Sequence, residues 1–220
     1  MKEKAVVLLS GGQDSTTSLF WAKKKFGEIT AVSFDYGQRH KIELNYAKKI
    51  AGLADVKHKI FRIKEFKEIK SSALVDKNIS LNKSDGINKN LPSSFVPGRN
   101  VLFLTVAAAF AYTQNIKNIV TGVSQADYSG YPDCRERFIK SIEKTLSLGM
   151  DFKFRIHTPL IYMKKKDVVL LAKKLDILPY LKWTHTCYSG IRPGCGKCPA
   201  CKLRKKGFEE AGIKDPIFED

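Results

Sequence analysis

Apolar residues along this chain alternate between two rhythms. Ala5-Val6-Val7-Leu8-Leu9 is an unbroken run with β-branched members, the pattern of a strand covered on both faces. Beyond Ser10-Gly11-Gly12, Leu19, Ala22 and Phe26 recur at helical spacing, and Gly27 supplies a C-terminal stop. Strand, tight loop and helix make a βα unit, and the unit repeats. Ile29 to Phe34 predicts a second strand, and Tyr46, Ala47, Ile50 and Ala51 mark one face of a second helix. Val56 to Ile63 predicts a weaker third strand and Asn118 to Gly122 a fourth. Between them an apolar helix starts near Arg99, and its run from Val101 to Tyr112 predicts burial. Ile139, Ile142 and Leu146 give another helix, Arg155 to Ile161 another strand, and Val168, Leu171, Ala172 and Leu175 a further helix. Such alternation predicts an α/β fold, a parallel sheet with helices on both faces.

Two stretches break the rhythm. Residues 70 to 96 are rich in Ser, Asn, Asp and Lys, and a polar segment of that length inside a domain is a functional lid or a disordered loop. Its place just before Phe95-Val96-Pro97-Gly98-Arg99-Asn100 suits a lid. After Pro179 the chain turns cysteine-rich, which divides it into an α/β domain at 1–179 and a small C-terminal region at 180–220. A length of 220 residues allows one sizeable core plus such an appendage.

Composition narrows the class. A hydrophobic share of 43% and a charged share of 28% exclude disorder of the whole chain. The net charge of +17 raises the local concentration of anions, nucleic acid included. Lys far outnumbers Arg and is scattered, however, so the charge alone fits a solvated lysine-rich surface equally well. No apolar run approaches the roughly 18 residues of a membrane span, and the run after Met1-Lys2-Glu3-Lys4 is too short for a signal peptide. Four of the five cysteines crowd into residues 187 to 201, which fits a metal site in a reducing compartment better than a disulfide framework. A cytoplasmic protein is expected.

The chemistry begins at Ser10-Gly11-Gly12-Gln13-Asp14-Ser15. At the carboxyl end of a parallel strand, glycines let a phosphate approach the backbone, the amides of the next helix donate to it, and the helix dipole adds favourable charge. The hydroxyls of Ser10, Ser15 and Thr16 add donors. A P-loop would need G-x-x-x-x-G-K-[ST]; here no Lys follows the glycines and Asp14 sits inside the loop. Beside a polyphosphate that carboxylate must bind Mg²⁺ or cap backbone amides.

These residues resemble the PP-loop ATP pyrophosphatase superfamily, whose S-G-G-x-D-S signature grips the β and γ phosphates while the α-phosphate is attacked. The resemblance implies a PP-loop, adenine nucleotide alpha hydrolase-like fold and an adenylating reaction. It also implies that Leu8, Leu9, Ser10, Gly11, Gly12, Gln13, Asp14, Ser15, Thr16, Thr17 and Ser18 hold ATP. Four later segments are similar to one family within it, the 7-cyano-7-deazaguanine synthases of queuosine biosynthesis. They are Asp35-Tyr36-Gly37-Gln38-Arg39-His40, Val96-Pro97-Gly98-Arg99-Asn100, Ser129-Gly130-Tyr131-Pro132-Asp133-Cys134-Arg135, and Thr184 through Phe208. That family implies a C–N ligase that joins 7-carboxy-7-deazaguanine and ammonia, through an adenylated carboxylate and an amide, to give the nitrile. It also implies a homodimer.

On that resemblance Asp14, Arg39, Arg99 and Lys165 are the expected catalytic residues. Arg39 and Arg99 sit just past strand ends, where a planar guanidinium neutralises phosphate or carboxylate. Lys165 matches the phosphate-facing lysine of related enzymes, though Lys164-Lys165-Lys166 also reads as a solvated helix start. Tyr131 offers a ring to stack on a deazapurine, and Asp133 a carboxylate for its N–H edge. Asp133 also reads as a helix cap. Cys134 reads as packed and inert, since no activating base is evident.

Cys187, Cys195, Cys198 and Cys201 follow the spacing C-x7-C-x2-C-x2-C and suit one tetrahedral, structural Zn²⁺. An iron–sulfur cluster is the competitor, because C-x2-C-x2-C also serves such clusters. His185 is not needed, since four thiolates complete a site. The rival functions are a PP-loop tRNA-modifying enzyme, a thiolase or lysidine-type ligase, and a non-catalytic zinc-ribbon nucleic-acid module. The first commonly brings a tRNA-binding domain for which little sequence remains after residue 215. The second leaves the phosphate loop unexplained and lacks interleaved aromatics. The expected cofactors are therefore ATP, Mg²⁺ and Zn²⁺, with no obligatory nucleic acid and no membrane. Without a glutaminase-like domain, free ammonia is the expected nitrogen donor.

Overall fold

The computed structural model describes residues 2–38, 41–63, 68, 72–75, 91–126 and 131–219. Five parallel strands form one sheet in the order β3-β2-β1-β4-β5: β1 (Lys4–Leu8), β2 (Glu28–Asp35), β3 (Lys57–Arg62), β4 (Asn118–Val120) and β5 (Arg155–His157). In the central register Ala5 lies opposite Ile29 on one side and Asn118 on the other.

The continuous apolar runs are strands because both faces of this sheet are covered. Val6, Val32 and Phe34 face a layer made by α3 (Arg99–Thr113) and α4 (Glu136–Gly149), against Leu104, Ala107, Ala108, Ile139 and Ile142. Ala5, Val7 and Ala31 face the opposite layer, against Leu19 and Ala22 of α1 (Gln13–Lys25) and Ala47 and Ile50 of α2 (Ile42–Leu53). A third core joins α5 (Lys165–Lys174), α6 (Leu178–Leu181) and α7 (Pro199–Ala211) through Val169, Ala172, Leu181 and Phe208. It reaches α1 through Phe20, whose ring centroid lies 4.6 Å from that of Tyr180. The stretch after residue 179 thus buries α7 against α5.

Two expectations change. β5 stops at His157 instead of running to Ile161, because Thr158-Pro159 ends the ladder: proline has no N–H to donate to it. The apolar helix α3 is buried on one face only: Val101 and Tyr112 at its two ends are exposed. Its composition fits burial, but only the face toward β1 and β4 meets the sheet. Of the expected lid, residues 72–75 and 91–96 are described and the rest lies outside. Those two ends are bound together, with Ala73 N–H and Ser72 Oγ both donating to the Ser93 carbonyl at 2.8 and 3.0 Å. No helix among the described residues is long and apolar enough to cross a membrane.

Candidate active site

The chain runs outward from β1 through β2 to β3 in one direction and from β4 to β5 in the other, so the strand order reverses between β1 and β4. In open α/β sheets a crevice opens beyond the strand ends at that point. Here a cavity of about 670 Å³ does so. One end is the loop after β1.

That loop is shaped by contacts no side chain at Gly11 would allow. Gly11 has φ +82°, and a Cβ there would lie 2.5 Å from the Glu43 carbonyl oxygen and 2.7 Å from the Ala47 nitrogen of α2. Inside the loop, the Ser10 amide donates to Ser15 Oγ at 3.1 Å and Gly12 N–H to Ser10 Oγ at 3.3 Å. The first-turn amides of Gln13, Asp14 and Ser15 have no acceptor within helix α1, and no side chain caps that helix. The residues that carry these donors line the crevice. Buried Gln13 Nε2 has no partner among the described residues, which also suits a bound oxygen-rich ligand. Leu8, Leu9, Ser10, Gly12, Gln13, Asp14 and Ser15 line the cavity. Gly11, Thr16, Thr17 and Ser18 stand behind it, and Thr17 Oγ1 donates to the Gln13 carbonyl at 2.9 Å.

Of the three consecutive lysines, Lys165 lines the cavity. Its Nζ donates to Asp14 Oδ1 at 2.9 Å and Oδ2 at 2.7 Å, and its side chain is only 10% exposed. Lys164 and Lys166 are exposed, and the Lys164 backbone amide at the helix start donates to Asp167 Oδ2 at 3.0 Å. The lysine stem runs under α7, where a Cβ on Gly207 would come within 2.4 Å of Lys165 Cγ. Across the crevice, a Cβ on Gly122, just after β4, would lie 2.9 Å from the Asp14 backbone. The Asp14–Lys165 pair is therefore clamped between β4, α5 and α7.

The other end of the cavity is aromatic and mixed in charge. Arg99 Nη1 donates to the Tyr36 hydroxyl at 3.4 Å, and Ser94 Oγ and the Tyr131 hydroxyl lie 2.7 Å apart. Burial pushes the Tyr36 phenol up to about 12. Glu43, in the first turn of α2, faces Arg99 and accepts from the Gln38 amide; burial raises its carboxyl to about 7. Tyr131 lines the cavity, whereas Asp133 lies behind the wall. Its Oδ2 accepts from the Asn100 amide of α3 at 3.3 Å, and the Asn100 side chain donates to the Asp133 carbonyl at 3.3 Å. The carboxylate thus braces the first turn of α3 from outside, while the N-cap of that helix is Gly98 and that of the following α4 is Arg135, so Asp133 itself caps neither. Burial, with help from Asp133, pushes the Cys134 thiol up to about 12, so it stays protonated. Arg39 lies outside the described residues.

The cysteine sulfurs of Cys187, Cys195, Cys198 and Cys201 all lie within 4.8 Å of one another. Four thiolates gathered this closely suit a single metal ion such as tetrahedral Zn²⁺. Backbone amides of Ser189 and Cys195 point at Cys187 Sγ at 3.4 Å, and that of Cys198 at Cys195 Sγ at 3.3 Å. Such donors support thiolate charge. The cluster is tied to the loop by the segment before it. His185 N–H donates to the Gly11 carbonyl at 2.8 Å, and its ring stacks on Tyr46 of α2 at 5.7 Å, with the Arg192 guanidinium 4.7 Å from the Tyr46 ring.

Sequence reasoning missed Glu43, Gln38, Ser94 and Tyr188 as parts of the cavity wall. They come from α2, two loops and the cysteine region, so no local spacing joins them. Glu43 carried one signal: it follows the quoted Asp35 to His40 segment at the start of an amphipathic helix.

A doubly covered parallel sheet with a Ser-Gly-Gly-x-Asp-Ser loop at its switch point defines a PP-loop α/β protein. Solved structures agree on that fold: a U34-tRNA thiolase from Methanococcus maripaludis, solved with its [4Fe-4S] cluster, superposes with TM-score 0.53 at 15% identity, over 95% of this chain and 65% of that one. A 4-thiouridine synthetase solved with RNA and bound ATP gives TM-score 0.55 at 19% identity, over 96% of this chain and 50% of that one. The chain belongs to the family described as "Queuosine biosynthesis protein QueC", which matches residues 4–212. It is 53% identical to a 7-cyano-7-deazaguanine synthase of Chromobacterium violaceum over 99% of this chain and 94% of the relative. With the enzyme of the same name from Clostridium botulinum it shares 52% identity over 95% of this chain and 96% of the relative.

Proposed function

We propose that this chain is a C–N ligase that converts 7-carboxy-7-deazaguanine, ammonia and ATP into 7-cyano-7-deazaguanine, a step of queuosine biosynthesis. The observation that carries this reading is more than 50% identity, over nearly the full chain, to enzymes named for that product. The crevice offers chemistry to match. At one end, loop amides and Lys165 suit the phosphates of ATP, and Asp14 suits their Mg²⁺. At the other, Tyr131 and Arg99 suit a flat heterocycle bearing a carboxylate. Asp133 holds Asn100 and the start of α3, and so the base-binding wall.

The reaction needs two activations. Attack of the substrate carboxylate on the α-phosphorus releases pyrophosphate and makes AMP a leaving group, which ammonia displaces to give the amide. A second adenylation, now on the amide oxygen, allows dehydration to the nitrile. One ATP site serves both. The four cysteines would hold one structural Zn²⁺, with no open position for catalysis. The 1–179 domain supplies the sheet and loop, the 180–220 region closes the crevice, and the working form is a cytoplasmic homodimer.

A second reading, a PP-loop enzyme acting directly on tRNA, is favoured by the net charge of +17. One assay separates the two: incubation with ATP, Mg²⁺, ammonium and 7-carboxy-7-deazaguanine, followed by mass spectrometry. Amide and nitrile are expected. No turnover of the small molecule, with ATP-dependent modification of tRNA, would establish the second reading.

A further inference from the structure

Among the described residues lining the cavity, the carboxyl groups are those of Asp14 and Glu43. Asp14 is held by Lys165 at the phosphate end. Glu43 has no part in the chemistry so far described, yet its position is fixed from two sides. Its backbone carbonyl bears on Gly11 of the phosphate loop so closely that a Cβ there could not fit. Its carboxyl accepts from Gln38, whose own amide is locked by the Tyr36 N–H at 3.0 Å and the Phe34 carbonyl at 3.2 Å. A carboxyl is thus held between the loop and the aromatic end, where an activated acyl carbon would stand. Of the titratable groups, Arg99 of α3 and Tyr36 after β2 act on it, and Asp14, Lys165, Tyr131, Cys134, His185 and Tyr188 line the same cavity, with Cys187, Lys202, Arg204 and Lys206 at its C-terminal side. Burial outweighs the Arg99 charge, so the carboxyl titrates near neutrality, the range in which one group both accepts a proton and releases it.

We infer that Glu43 is the base that takes protons from nitrogen in both halves of the reaction, an inference that rests on the ligase reading above. In the first half, the ammonia lone pair forms the C–N bond at the acyl carbon. The C–O bond to AMP breaks, AMP leaves with that electron pair, and Glu43 takes the proton the new nitrogen must shed. In the second half, the amide oxygen attacks the α-phosphorus of a second ATP and pyrophosphate leaves. Nitrogen then loses its two protons in turn. Glu43 takes the first to give an O-adenylyl imidate and passes it to solvent. It takes the second as the C–O bond breaks, giving C≡N and AMP. An anionic Glu43 also holds ammonium beside the acyl carbon before the first transfer.

The test is Glu43→Gln in the full chain, with Glu43→Asp beside it and thermal melts to verify folding. Three rates are read: acid-dependent exchange of labelled pyrophosphate into ATP, nitrile formation from ammonium, and hydroxamate formation from hydroxylamine, a nucleophile already unprotonated at neutral pH. Glu43→Gln is expected to keep exchange within about threefold of wild type and to lose about 100-fold or more in nitrile formation at neutral pH. That loss should shrink as pH rises and free ammonia accumulates, hydroxamate should form at near wild-type rate, and Glu43→Asp should recover part of the nitrile rate. An unchanged nitrile rate and pH profile in Glu43→Gln would overturn the assignment. So would loss of exchange together with nitrile, which would make Glu43 a support for the ATP site. Absence of exchange in the wild type itself would instead indict the adenylate reading.

Discussion

The phosphate loop and the cysteine loop are both glycine-containing turns suited to an ion, but they are built in opposite ways. Residues 10–15 are held by elements distant in sequence: β1 precedes them, α2 presses on Gly11, the backbone after β4 touches Asp14, and His185 donates to the Gly11 carbonyl. The shape of this loop is set by contacts within the chain. The cysteine loop contributes sulfurs that meet mainly each other and amides of their own segment. Its residues bury little apolar surface between Cys187 and Cys198, so this loop lacks the core that holds the other and suits support by a metal on its four sulfurs. An anion site can thus be preorganised by a sheet, whereas a small thiolate site is organised by its ion.

That contrast can be broken most severely at Asp14. Asp14→Ala is expected to lower ATP-dependent nitrile formation by about 1,000-fold or more while leaving the circular-dichroism melt close to wild type, because the loop is held by backbone contacts. Near-normal turnover would remove the metal-phosphate role. Next is Arg204 of α7, whose buried guanidinium meets Asp215 at 2.6 and 2.7 Å and also donates to Thr184 Oγ1 at 2.7 Å. Arg204→Met strands a buried carboxylate and should cost about 3–5 kcal/mol in denaturant unfolding; a loss under about 1 kcal/mol would show that the C-terminal anchor is redundant.

Chelation tests the two loops against each other. Stripping the metal should open residues 187–201 to protease while the far-ultraviolet signal of the sheet persists. Because His185 bridges the two loops, ATP affinity should fall about tenfold. Unchanged ATP affinity would show that the loops are independent. A brown protein absorbing in the visible would replace zinc with iron and sulfur.

The smallest effect lies at the far end of the sheet. His157 is flanked by the Trp21 and Phe26 rings at 6.0 and 5.4 Å and its Nε2 bonds Asn118 Oδ1 at 2.9 Å. Burial, with Lys25 and Arg155 nearby, pushes it down to about 4. Its folded value lies below its unfolded one, so the unfolded state binds the proton first. Stability is full above about pH 6.5 and falls as pH drops toward about 4. The ring is half exposed, so solvent screening reduces the effect to about 1 kcal/mol. His157→Gln should flatten that slope in pH-dependent melts, and an unaltered slope would place the titration elsewhere.

What could be read from the chain followed from where the information lies. β1, β2 and the loop between β1 and α1 are legible because burial on both faces and a contiguous glycine turn write themselves into adjacent residues. The length of β5 was overcalled since apolar residues continue past the proline that ends it. The burial of α3 was overcalled because periodicity cannot say what covers a helix's second face. Lys165 was distinguishable from its neighbours only by resemblance, and its geometry depends on a glycine in another helix. Tyr131 was marked by resemblance, whereas Glu43 was illegible because the groups it meets come from separate elements. The described residues leave Arg39 out.

The seating of Lys165 beneath Gly207 has a consequence for how this protein comes into being. During synthesis the chain delivers β1 to β5, the phosphate loop and the lysine itself before it delivers α7. A growing chain can therefore lay down its sheet while the lysine still lacks the helix that aims it at Asp14 and the loop still lacks His185. A segment made after the whole sheet thus completes the site, so a product that stops short of α7 would fold around an unfinished crevice.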